Sequence, residues 1–177
     1  MLKRLTASLV AASVVFCSTA AGAAEAAKNP YWQCVTFARM FSGIQIFGDA
    51  WTWWQKATGK YAQGFTPETG AVLVFKPVGQ MTRGHVAVVS QVLTERVVQI
   101  THANWGGSRG KVEQDVTIVD VSPRNDWSQV KVWYNPLGDL GTTVYPTYGF
   151  IYQAAEKAML QAAQGKSTAS AASTGQP

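Results

Sequence analysis

Three side chains carry the chemistry that this sequence suggests: Cys34, His85 and His102, with Asn104 beside the last of them. The chain has two cysteines and two histidines. Cys17 lies in an N-terminal stretch that reads as a leader, so removing that stretch leaves Cys34 without a disulfide partner. A lone thiol in an oxidising compartment is a liability unless it is buried or used. Thiolate is the reactive form of cysteine, and the N–H dipoles of a helix start favour it. Cys34 is expected in the first turn of a helix, with Tyr31, Trp32 and Gln33 lining an approach groove. The alternative is a buried structural thiol.

The histidines fall on two β-branched runs joined by a short turn near Thr94-Glu95. A hairpin centred there pairs residues whose numbers sum to 189, so Ala87 faces His102 and His85 faces Asn104. Opposite residues on an antiparallel pair lie within roughly 5.5 Å, and alternate residues share a face. This register gathers both histidines and Asn104 into one cluster, whereas a slip of one residue separates them. An imidazole that takes a thiol proton while a third group orients its other nitrogen is the arrangement of nucleophilic catalysis. His85 would be the base, with His102 or Asn104 as its orienter. Zinc is the competing chemistry. Structural zinc takes four ligands, usually in close pairs, and Cys34 is distant in sequence from His85, so no metal and no cofactor are expected.

These residues must be held by a folded domain. The chain has 177 residues, 47% hydrophobic and 14% charged, which excludes a mainly disordered chain and suits one domain. The formal net charge of +5 comes without a dense Lys/Arg run, so no nucleic-acid partner is expected. Residues 1–23 read as a secretory signal peptide. Lys3 and Arg4 open it, an apolar stretch too short to span a bilayer follows, and Ala21-Gly22-Ala23 offers a cleavage site. A secreted or periplasmic protein without a stable membrane span is expected. Residues 24–28 read as a linker, 29–152 as the compact domain, 153–164 as a C-terminal helix beginning near Tyr152, and 165–177 as a disordered tail.

Inside the domain, Trp32 to Phe41 reads as an amphipathic helix stopped by Ser42-Gly43. A second helix is expected from Asp49 to Thr58, capped by Asp49, with Trp51 and Trp54 packed inward. Strands are expected at Ala71–Phe75, His85–Val92, Val97–Ala103, Val116–Val121 and Val130–Tyr134. Helices followed by strands give an α+β class, with N-terminal helices packed on an antiparallel β-sheet. Trp105, directly after the polar cluster, is the best candidate for a substrate groove.

The segments YWQCVTFAR, DAWTWW, PETGAVLVF, GHVAVVSQV and ITHANWGG, in that order, resemble the CHAP family, the cysteine- and histidine-dependent amidohydrolases/peptidases. The resemblance covers roughly Asn29 to Trp133. It implies a papain-like α+β fold and cleavage of peptidoglycan, as an N-acetylmuramoyl-L-alanine amidase or a peptide endopeptidase. By motif, Cys34 is the nucleophile and His85 the general base. Many members carry Glu-x-Asn on the next strand; here His102-Ala103-Asn104 stands there, so His102 replaces the Glu. A histidine in that place is also what the related NlpC-type peptidases use. The mechanism implied is acyl transfer, with the Cys34 backbone N–H and the Gln33 side chain holding the oxyanion. Peptidoglycan is the partner expected, and a monomer the state. Two other readings compete: a non-catalytic wall-binding module, and a thiol amidase or peptidase with a different substrate.

Overall fold

The computed structural model describes residues 31–107 and 109–153. The leader, the linker, the tail and all but the first residue of the expected C-terminal helix lie outside the described residues. Helix α1 spans Cys34–Ser42 and ends at Gly43, whose left-handed φ of 74° suits a C-terminal cap. A 3-10 turn at Ala50–Thr52 leads into a short helix, α2, at Trp53–Ala57. The second helix is thus half 3-10, and the Asp49 side chain makes no capping hydrogen bond. Strands follow: β1 Ala62–Gly64, β2 Val72–Phe75, β3 His85–Thr94, β4 Val97–Ala103, β5 Val112–Asp120, β6 Gln129–Tyr134, β7 Asp139–Leu140 and β8 Tyr145–Tyr152. The class is α+β, with few helices.

All pairings are antiparallel, and the sheet closes on itself. The order β2-β3-β4-β5-β6 is completed by β8, whose start pairs with β6 and whose remainder pairs with β2. Six strands therefore form a barrel-like ring, with β1 on the outer side of β8 and β7 beside β6. Three of the strands were not anticipated from sequence: β1, β7 and β8. Tyr152 ends β8 and does not begin a helix.

Two apolar clusters share the central strands. Alternation sends Leu73, Phe75, Ala87, Val89, Val98 and Ile100 into the ring, where they meet Ile118, Trp127, Val132 and Phe150. The other face of β2 and β3 presents Val72, Val74, Val86 and Val88, which cluster with Ala38, Ile44, Trp53 and Ala57. Because both faces of β2 are covered, all four of its residues are buried. Trp53 is the fully buried tryptophan of the second helical segment, whereas Trp51 is 41% exposed and Trp54 only half-buried. The inward stripe of this segment is therefore Ala50, Trp53 and Ala57, at spacings of three and four, and not Trp51 and Trp54. No helix among the described residues is long and apolar enough to cross a membrane.

Candidate active site

Cys34 is the first residue of α1. Gln33 before it has extended backbone, so the chain enters the helix sharply and the first helical N–H groups are left without intrahelical partners. Backbone amides of Val86, Val35 and Cys34 itself lie beside the sulfur and favour the thiolate, but burial outweighs them and pushes the thiol up from its ordinary value. The effect expected of the helix start is present and is the smaller one, so the resting thiol is protonated.

His85 opens β3 opposite Phe75 of β2. Gly84 makes this possible. Its φ is +65°, and a Cβ there would stand 2.7 Å from the Phe75 carbonyl oxygen and 3.1 Å from the Trp51 backbone nitrogen. Only a residue without a side chain brings the chain so close to β2 at this point.

The β3–β4 hairpin has the register expected at its inner end. Val88 pairs with Thr101 and Val89 with Ile100, while bulges shift the pairs nearer the turn. His85 and His102 consequently come together, with His85 Nε2 3.1 Å from His102 Nδ1. Both rings are buried, at 3% and 0% exposure, and Trp105 covers them with ring centroids 4.8 and 5.3 Å away. Burial pushes the His85 pKa well below its ordinary value, and the neighbouring His102 pushes in the same direction. His85 is therefore neutral at neutral pH.

Asn104 takes another place. Its φ of 61° carries the chain out of β4, so it does not lie opposite His85. Its Oδ1 accepts a hydrogen bond from the Gly110 backbone N–H at 3.0 Å, and its Nδ2 donates to Gln33 Oε1 at 3.0 Å. The backbone N–H can only donate, so it fixes the orientation of the Asn104 amide, and Asn104 in turn fixes Gln33. The Nε2 of Gln33 is left as the donor toward the cleft.

Cys34, His85, Gln33, Asn104 and Trp105 line one cleft of about 910 Å³. Tyr31 and Trp32 do not line it. The Tyr31 ring and the Trp32 backbone lie against Gly110, and the Trp32 backbone N–H donates to the Gly110 carbonyl. Met81 and Tyr145, which were not singled out from sequence, line the cleft. Glu113 was also missed. It is the cross-strand partner of His102 on β5, with Oε2 3.6 Å from His102 Nε2. Pairing β4 with β5 in a regular register would not have found it, because a bulge in β5 shifts the pairing before His102.

Residues 25–104 match the family model of the CHAP domain. Over that stretch the chain is similar to the CHAP domain. No curated protein was found to match the chain. CHAP domains are cysteine- and histidine-dependent amidohydrolases and peptidases, often acting on cell walls. The matched stretch contains Cys34, His85, His102 and Asn104, and strands β5 to β8 complete the ring beyond it.

Proposed function

We propose that this protein is an exported cysteine hydrolase that cleaves amide bonds of peptidoglycan, as an N-acetylmuramoyl-L-alanine amidase or a peptide endopeptidase. The observation that carries this reading is the shared lining of one open cleft by Cys34 and His85, with His85 Nε2 held by His102 at 3.1 Å. That contact leaves Nδ1 as the nitrogen that serves the thiol. The leader read in residues 1–23 supports export.

The pair works from a neutral state. His85 Nδ1 accepts the Cys34 proton as the sulfur adds to the amide carbonyl. The tetrahedral oxyanion receives the Cys34 backbone N–H and the Gln33 amide, whose donor face Asn104 fixes. His85 then gives its proton to the leaving amine as the C–N bond breaks, and a thioester remains. Water, deprotonated by His85, hydrolyses the thioester and restores the thiol. His102 holds the His85 ring throughout, and Trp105 keeps water from the imidazole pair.

Digestion of purified peptidoglycan tests this reading. The chain without residues 1–23 is expected to release fragments whose masses identify the bond. An amidase frees whole stem peptides; an endopeptidase cuts within stems or cross-links. Cys34→Ala is expected to lose all measurable turnover, and equal release by the variant would remove Cys34 from the chemistry.

A further inference from the structure

His102 Nε2 is buried, with no partner at hydrogen-bond distance, and Glu113 Oε2 stands 3.6 Å from it. A buried imidazole N–H left unpaired costs free energy, so this approach is informative. It also depends on a specific device in the sheet. Between Val97 and Ile100, β4 pairs with β5 in the register Val97↔Val119 to Ile100↔Val116. Continued without interruption, that register would set His102 opposite Gln114 and send Glu113 to the other face. A bulge intervenes, and His102 instead pairs with Glu113. Gln114 and Asp115 together stand opposite Thr101, one residue more than a regular ladder holds; both are exposed, and Asp115 adopts a left-handed φ of 51°. Aspartate tolerates that conformation better than most side chains, yet a non-glycine residue there is uncommon.

We propose that Glu113 is a positioning residue that sets the tautomers of both histidines. The carboxylate accepts the Nε2–H of His102, so His102 Nδ1 carries a lone pair. His85 Nε2 must then hold a proton and donate it across the 3.1 Å contact. His85 Nδ1 is left unprotonated, which is the form that can take a proton from Cys34. Without the carboxylate, His102 is free to carry its proton on Nδ1. That proton would point at His85 Nε2 and place the other hydrogen on His85 Nδ1, where it blocks the base. Glu113 touches neither thiol nor substrate cleft; it opens instead onto a second cleft of about 630 Å³ on the far side of Trp105 and Tyr145. The other titratable groups near the imidazole pair are Cys34 on α1, Lys111 just before β5, and Tyr145.

The proposal rests on Cys34 and His85 working together, and its test does not need the natural substrate. His85 and His102 are the only two histidines in the chain, so nitrogen NMR of the imidazoles resolves both tautomers. In the wild type both rings are expected with hydrogen on Nε2. In Glu113→Ala at least one ring is expected to move its hydrogen to Nδ1, with Cys34 alkylation by iodoacetamide at neutral pH slowed about tenfold or more. Unchanged tautomers, or slowed alkylation with unchanged tautomers, overturn the proposal. If Glu113→Ala does not fold, Glu113→Gln decides. Loss of the charge is expected to move the acid limb of the alkylation profile to lower pH, and an unmoved limb overturns the proposal. A wild type that leaves peptidoglycan intact while Glu113→Ala shows the tautomer change would sink the substrate reading and leave this one standing.

Discussion

At rest Cys34 and His85 are both uncharged, chiefly through burial: at Cys34 it outweighs the backbone amides that favour the thiolate, and at His85 the neighbouring His102 adds to it. The proposed chemistry then needs a proton transfer within the substrate complex and not a preformed ion pair. The acid limb of kcat/KM is therefore expected below about 6.5, the ordinary imidazole value, because His85 stays neutral to lower pH than a free histidine. Alkylation of Cys34 is expected to keep rising into the alkaline range. A pH profile of each reads both, and an alkylation plateau reached near neutrality would show a stabilised thiolate. His102→Ala is expected to lower kcat by about 10²–10⁴-fold, since it releases the ring that His85 leans on. Asn104→Ala is expected to cost about tenfold, through a loosened Gln33 amide. The reverse ranking in steady-state assays would make Asn104 the orienter. Cys34, His85 and His102 were legible from residue type and hairpin arithmetic. The place of Asn104 was not, because its left-handed backbone ends the strand and no pattern of side chains announces that.

The elements differ in how openly the sequence declares them. Helix α1 begins and ends within two residues of its expected bounds, because an apolar stripe and a terminal Gly mark it. The expected runs in β2, β3, β4 and β6 all fall within observed strands, apart from Ala71 beside β2. Strand β8 hid itself. Its sequence, YPTYGFIY, contains Pro146 and Gly149, both of which read as interruptions. It is tolerated because β8 changes partner in this region, from β6 at Tyr145 and Pro146 to β2 from Thr147 onward, with a bulge at the Val74/Phe75 step. The turn into β3 supplies a sharp test. Gly84→Ala meets the Phe75 carbonyl and forces a left-handed alanine, so a loss of about 1–3 kcal/mol is expected. The start of β3 would also shift, and His85 with it. Thermal melting and alkylation measured together should both fall, and a variant with unchanged melting temperature and thiol reactivity would show the contact to be soft.

For the molecule as a whole, the closed ring and the buried histidines set both stability and timing. His85 has a lower pKa folded than unfolded, so the unfolded chain binds more protons between those two values. Its contribution is complete above about 6.5 and is lost as pH falls toward the folded value. Glu113, also lowered, adds a further loss at more acidic pH, below the ordinary carboxylate range. Urea midpoints taken from pH 8 downward are expected to decline below about 6.5, and a flat series down to pH 5 would contradict a neutral buried His85. Few of these whole-molecule properties were visible beforehand, because closure depends on β6 meeting β8 and β8 meeting β2 across long separations in the chain. That closure has a further effect during synthesis. Cys34 leaves the ribosome well before β8, the strand that seals the ring. A nascent chain that ends before Thr147 lacks the β8 partner of β2 and Phe150 of the core. The cleft that Cys34 and His85 share with Tyr145 is therefore completed only once β8 has emerged and docked.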